Sequence, residues 1–312
     1  AVVAISIAVV TALILAFKGV LHGFVRTMSP EDIHVTLKFA LVAAVILPLL
    51  PNRTVDPWEL FNPFQIWLLV VLVSAIGFSG YVMMKILGAS RGINLTGIFG
   101  GLASSTATTI SFSSASREYP QMASHYANAV VLASTVMFPR IFILILVIHP
   151  PLAFKVLVPL LVMLLTGLIY IFFRQRKDKK NEETVHPEFK ITNPLKLSTA
   201  IKFGLFFAVI IVVVEFAQRY LGSSGVYLTS LLAGLTDVDA ISLSLSRLTK
   251  SSQLSINVAS AAVVIAALVN TVTKGVIAYV SGTEELRKPV IKAFAYMLLT
   301  GIISALVVFY VL

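Results

Sequence analysis

Long apolar stretches separated by short polar breaks run from one end of this chain to the other. They fall at about 1–17, 36–50, 65–87, 94–114, 123–148, 152–173, 198–220, 226–246, 255–281 and 290–312. A run of about 20 apolar residues crosses the ~30 Å hydrocarbon layer of a bilayer as a helix. Strands of an outer-membrane barrel would instead show alternating segments of ~10 residues, and the sequence has none. The pattern predicts an all-α, polytopic transmembrane helical bundle.

The breaks carry their own signals. In "SPED", Ser29 suits an N-cap and Pro30 the first helical position, which starts the helix that becomes the second segment. The connection PNRTVDPWELFNPF, rich in proline and carrying Trp58, reads as an ordered interfacial loop. Residues 174–196, RQRKDKKNEETVHPEFKITNPLK, form the one long polar stretch, and their basic excess places it on the cytoplasmic side.

That stretch separates two halves that resemble each other. LGASRGINLTGIFGGL (87–102) aligns with LGSSGVYLTSLLAGL (221–235) once a gap is opened opposite Arg91. Gly92 then meets Gly225, Thr96 meets Thr229 and Gly101 meets Gly234, and the register runs on to Ser111/Ser244 and Ser113/Ser246. MLLTGLI (163–169) matches MLLTGII (297–303) at nearly the same offset. Chance similarity between apolar helices reproduces Leu and Val rather than Gly, Thr and Ser at fixed spacing. The expected organisation is an N-terminal two-helix element with its interfacial loop (1–64), a first membrane repeat (65–174), a basic linker (175–196) and a second membrane repeat (197–312). Each repeat holds four segments. If all four cross, the repeats are parallel. If 94–114 and 226–246 are discontinuous or re-entrant, the repeats are inverted, and the Lys/Arg distribution favours that arrangement.

Composition narrows the class. Hydrophobic residues make up 58% of 312 and charged residues 12%, about half the charge of a soluble domain. The net charge of +10 marks cytoplasmic loops rather than a nucleic-acid partner. No cysteine is present, which excludes disulfides, thiolate catalysis and cysteine metal sites. The chain opens at Ala1 inside an apolar run without the basic n-region of a signal peptide, and reads as an excerpt of a longer protein.

Chemistry concentrates in the two ambiguous segments. The first, NLTGIFGGLASSTATTISFSSAS, has hydroxyls at Ser104, Ser105, Thr106, Thr108 and Thr109 covering every face of a helix. Such a segment does not face lipid; it either packs tightly through small residues or lines a pathway, with a local break. The second, GLTDVDAISLS, holds Asp237 and Asp239, which align with Ser104 and Thr106. On an unbroken helix these carboxylates would point about 160° apart, so they converge only if the chain unwinds near Gly234. Unwound carbonyls, hydroxyls and carboxylates form a hard-oxygen environment suited to Mg²⁺, Na⁺ or a proton, making Asp237 and Asp239 the candidate metal ligands. Lys274, Asn270 one turn before it, and Arg140 after the kinking Pro139 are candidate charge partners or gates. The bland alternative is a static, neutralised acid. Glu215 and Arg219 read as an interfacial pair, Lys38, Lys85 and Lys202 as snorkelling, and His125 and Asn128 as interhelical hydrogen-bonders. His22, His34, His149 and His186 lack metal-ligand spacing.

No nucleotide-binding, zinc-hydrolase, nucleophile-elbow or dinucleotide fingerprint occurs, so no enzyme is expected. The strings TLKFALVAAVILPLLPNRTVDP, GGLASSTATTISFS and GLTDVDAISLS…ALVNTVTKG resemble MgtC/SapB-type integral membrane proteins, specifically their C-terminal membrane domain. The resemblance implies an inner-membrane location and a connection to magnesium, and supplies no catalytic residues. The expected function is a membrane transporter or channel for a cation or small solute, with the Asp pair as its cation or proton site. The alternatives are a non-transporting regulatory membrane protein and a lipid-interacting one. Expected partners are the bilayer and a small cation or solute, with a homo-oligomer left open.

Overall fold

The computed structural model describes residues 36–37, 40–56, 61–87, 93–178 and 197–310; the first apolar segment, Ser29 and Pro30, Trp58, Lys38, the 88–92 connection and most of the 174–196 stretch lie outside them. A short helical piece, Leu41–Ile46 running into Leu47–Leu49, precedes the main bundle. Nine helices follow among the described residues: α1 Pro63–Leu87, α2 Ile93–Glu118, α3 Ala123–Thr135, α4 Met137–Ile148, α5 Pro150–Asp178, α6 Leu197–Gly234, α7 Val238–Lys250, α8 Ile256–Ser281 and α9 Glu284–Tyr310. None of the described residues forms a strand.

Among the described residues, five stretches have the length and apolar composition to cross a bilayer: Pro120–Ile148, Pro150–Arg176, Gly204–Gly234 (interrupted at Gly222), Ile256–Ser281 and Glu284–Val308. The chain is a polytopic helical membrane protein. α3 and α4 act as one span, loosened at Val136, three residues before the ring of Pro139. α9 begins six residues ahead of the sequence expectation of 290, because Glu284 and Glu285 sit favourably in its first turn.

Two of the helices are folded back on themselves. Ser104 interrupts α2 with extended backbone (φ −166°, ψ 103°). A Cβ placed on Gly100 would lie 2.8 Å from Oγ1 of Thr108. In a straight helix residues eight apart are separated by about 12 Å, so the chain has reversed direction at Ser104. The limb before Ser104 runs parallel to α3, since Gly97 abuts Ala129 and Gly101 abuts Ala133, each 32 residues downstream. The limb after it runs antiparallel to α3, as the tilted contact of the Phe112 and Tyr126 rings (5.6 Å) and the short 119–122 connection require.

The second repeat does the same. Gly222 (φ 60°, ψ −147°) turns α6 so sharply that a Cβ on Gly225 would stand 2.3 Å from the Ala217 carbonyl oxygen. That backbone region is essentially glycine-only. The chain then travels inward to Gly234, breaks at 235–237 and returns as α7. Gly234 abuts Ala266, again 32 residues downstream, at the register that Gly101 and Ala133 hold in the first repeat. Both segments left ambiguous by the sequence are therefore re-entrant hairpins.

Their consequence is inversion of the repeats. α5 and α9 are equivalent helices, and they touch through equivalent residues. The hydroxyls of Thr166 and Thr300 are 3.0 Å apart; Gly301 packs on Met163 and Gly167 on Met297; and the rings of Tyr170 and Tyr296 lie 6.1 Å apart. Moving up α5 from Met163 to Tyr170 means moving down α9 from Gly301 to Tyr296, so the two are antiparallel. A pseudo-two-fold axis passes beside Thr166 and Thr300, and the hairpins enter the bundle from opposite faces.

Contacts at the two faces agree. Arg117 donates to the Val280 carbonyl (2.6 Å) and the Thr283 N–H to Ser116 Oγ (3.0 Å) on one side. Lys155 donates to Asn257 Oδ1 (2.7 Å) on the other.

Candidate functional site

Each hairpin ends its inward limb with carbonyls, and begins its outward limb with N–H groups, that helix geometry leaves without intrahelical partners. The sequence supplies a cap to each return limb at the same register. Asp237, in extended backbone (φ −151°, ψ 124°), accepts at Oδ1 from the N–H groups of Asp239 (2.6 Å) and Ala240 (3.3 Å). Ser104, its repeat partner, accepts at Oγ from the Ala107 N–H (3.3 Å). One cap is a charged carboxylate and the other a neutral hydroxyl.

The carbonyl ends are held from the next span. Arg140 on α4 donates through one terminal nitrogen to the Leu102 carbonyl (3.1 Å), at the end of the first inward limb. Its other terminal nitrogen donates to Asp239 Oδ2 at the start of α7. Asn270 on α8 donates to the Gly234 carbonyl (3.0 Å), the corresponding place in the second repeat. A single guanidinium thus ties the tips of both hairpins together, with side-chain exposure of only 10% for Arg140 and 6% for Asp239. Of the two cations proposed from sequence as partners for the acids, Arg140 makes the ion pair.

Lys274 does not. It is fully buried, its Nζ lies 3.0 Å from Met137 Sδ, and among the described residues no carboxylate comes within ion-pair distance of it. A thioether is a weak acceptor. Asp239, Arg140 and Asp237 are the charged groups within electrostatic reach.

The remaining candidates divide. Ser105 and Thr106 stay half-buried beside the first tip. Thr108 is spent against Gly100 inside the hairpin, and buried Thr109 donates to the Ser105 carbonyl (2.8 Å). Asp237 and Asp239 do not converge on one point: the first caps α7, and the second turns to Arg140. Among the described residues no group of three His, Cys, Asp or Glu is gathered as a metal site. Glu215 and Arg219 pair one turn apart (3.0 Å), and Lys202 is exposed. Asn128 departs from expectation: it is buried on α3 with Oδ1 unpaired rather than in an interhelical hydrogen bond. Met137, Leu102 and the reversal at Gly222 were not singled out from sequence. The first glycine in LGSSG was the available signal for the last of these.

The family described as "Domain of unknown function (DUF4010)" matches residues 71–282, which contain both hairpins and every residue of the tip junction. An "Uncharacterized protein" of Aquifex aeolicus (strain VF5) is 32% identical over 193 residues, covering 62% of this chain and 84% of that protein. No solved structure matches.

Proposed function

The chain belongs to the DUF4010 family, and from that premise we propose that it is a secondary transporter carrying a small solute or cation across the membrane. The observation that carries this reading is the meeting of two inverted re-entrant hairpins at Arg140, near the bilayer midplane. Inverted repeats of discontinuous helices are how many secondary transporters build a site that opens alternately to either face. The helix-end dipoles, hydroxyls and charges gathered there are costly in hydrocarbon and mark a pathway by default.

In this reading Arg140 holds the two tips together, Asn270 anchors the second, and Ser104, Ser105 and Thr106 line the path. Asp237 is the coupling site for a cation or proton: its Oδ1 is engaged by two N–H groups, which leaves Oδ2 for the ion. The face on which α5 ends and α6 begins is the cytoplasmic one in this proposal. It carries Arg117, Arg174, Arg176, Lys202, Arg287, Lys288 and Lys292 together with Glu118, Glu284 and Glu285, against Arg53, Lys155, Arg219, Arg247 and Lys250 with Asp56 and Glu215 on the opposite face. A tie to magnesium rests on the MgtC/SapB likeness alone.

The closed Arg140–Asp239 pair favours a second reading, a static clamp in a non-transporting regulatory protein. Reconstitution separates the two. Transport predicts solute-dependent or ion-dependent flux in liposomes that Asp237→Asn abolishes while the variant stays monodisperse. A folded Asp237→Asn with wild-type flux, or a wild-type protein inert toward radiolabelled sodium, magnesium and small organic acids, removes the transporter reading.

A further inference from the structure

Each return limb carries a row of polar side chains along one side. On α2 the row is Thr106, Thr109, Ser113 and Ser116. On α7 the repeat equivalents are Asp239, Ser242, Ser246 and Thr249. Steps of three, four and three residues keep each row on one side of its helix. From first position to last a row covers ten residues. Such a length of helix rises about 15 Å, half of the ~30 Å hydrocarbon layer. The two limbs leave the tip junction towards opposite faces, so together the rows cover the depth of the membrane. Thr106 is half-buried and the rest are buried, whereas Ile110 and Ser111 on the far side of α2 are exposed.

Helix packing accounts for part of each row. Thr109, Ser116, Ser246 and Thr249 each donate to a carbonyl of their own helix. It does not account for Ser113 and Ser242, one in each row. Both have no exposure, and among the described residues neither Oγ has a hydrogen-bond partner. Burying a hydroxyl without a partner costs about 1–3 kcal/mol, which alanine at either position would avoid. The back-bonded members also say what kind of species suits the rows. A hydroxyl has one proton and two lone pairs. With the proton spent on the helix's own carbonyl, the oxygen presents only acceptor capacity. Neutral acceptor oxygens suit a small hard cation and disfavour an anion.

We infer that the two rows are half-pathways along which a small hard cation such as sodium reaches the tip junction, one from each face. Ser113 and Ser242 are the oxygens kept free for it. Both rows are covered in this structure, and access comes as a return limb parts from its neighbours. This deepens the transporter reading by choosing a cation over a neutral or anionic solute and by assigning its route, and it rests on that reading for net transfer.

The test places single cysteines in the full chain, reconstituted in uniformly oriented vesicles, and adds a small membrane-impermeant methanethiosulfonate from either side. Ala127→Cys, Val263→Cys and the off-row Ser244→Cys are controls at positions that are equally buried. Thr109→Cys and Ser113→Cys are expected to react from the face of Thr283, and Ser242→Cys and Ser246→Cys from the face of Asn257. Each should react at least about tenfold faster than the controls, which are reached only through unfolding. Sodium chloride in place of choline chloride should slow the reaction at Ser242→Cys. Row cysteines no faster than the controls overturn the inference, as does a rate indifferent to sodium. Should the cysteines misfold, Ser242→Ala carries the same test: it keeps or raises Tm while lowering uptake of radiolabelled sodium into liposomes, and unchanged uptake overturns the inference. Reactive rows in a protein that moves no sodium sink the transporter reading and leave the route; sodium uptake with rows as inert as the controls does the reverse.

Discussion

Replacing Arg140 with Gln should be among the most damaging single changes in the bundle. The guanidinium is buried and serves two elements at once: the Leu102 carbonyl at 3.1 Å and the Asp239 carboxylate. Removing one partner of a buried pair leaves the other charge stranded, at about 3–5 kcal/mol. An orphaned buried carbonyl adds about 1–3 kcal/mol, although a glutamine recovers part of that. The expected loss is therefore at least about 3–5 kcal/mol, a large share of the ~5–15 kcal/mol that holds a typical domain. Removing both charges together should cost far less, because the double variant Arg140→Gln/Asp239→Asn strands neither partner of the pair; a cost under about 2 kcal/mol is expected. Reversible unfolding in mixed detergent micelles, run on both single variants and the double, measures the coupling directly. A loss below about 1 kcal/mol in Arg140→Gln, or a double variant as weak as the sum of the singles, would refute the reasoning that this pair joins the hairpins.

Three further changes follow from particular positions. Gly222→Ala meets no atom within 4 Å, yet forces a methyl-bearing residue into φ 60°, ψ −147°, so it should lower stability by about 1–3 kcal/mol through backbone strain alone, read as a fall in Tm. Gly101→Val and Gly234→Val press on the backbone of Ala133 and Ala266 at the same register of the two repeats, and should each cost about 1–3 kcal/mol or more; a neutral effect at either would contradict the close packing found there. At the turn between α4 and α5, burial and then the nearby Lys250 hold the His149 imidazole below its ordinary pKa of 6.5, and its Nδ1 accepts from the Leu152 N–H (3.2 Å). The unfolded chain binds that proton more readily, so the stabilisation is present above about pH 6.5 and fades as pH falls through the lower folded value. His149→Asn keeps an acceptor and should flatten that part of the pH–Tm curve.

Much of this architecture could be read from residue spacing, and the reason is physical. Gly recurs at a fixed interval because helices approach closely at the equivalent Gly101 and Gly234, and hydroxyls in both segments, such as Thr109 and Thr229, bond back to a carbonyl one turn earlier. The interruption at Ser104 and the one before Asp237 were visible as polar, small-residue stretches inside apolar runs, where a cap is the natural occupant. Pairing was not visible. Arg140 and Asp239 are 99 residues apart, and only the crossing of α4 over α7 selects that contact over one with Lys274. Lys274 looked from sequence like half of an ion pair; its place against Met137 depends on the rotation of α8, which hydrophobic periodicity does not fix. The sense of the repeats depended on chain reversals, and the first glycine of LGSSG does not by itself announce one.

The chain has no native cysteine, so single cysteines report topology without background. Introduced one at a time at Gln121, Thr283, His149 and Ser252, they can be probed with a membrane-impermeant maleimide in sealed, uniformly oriented vesicles. Hairpins entering from opposite faces require Gln121→Cys and Thr283→Cys to label from one side, and His149→Cys and Ser252→Cys from the other. Labelling of Gln121→Cys and Ser252→Cys from the same side would make the repeats parallel and contradict a junction built from two inverted tips.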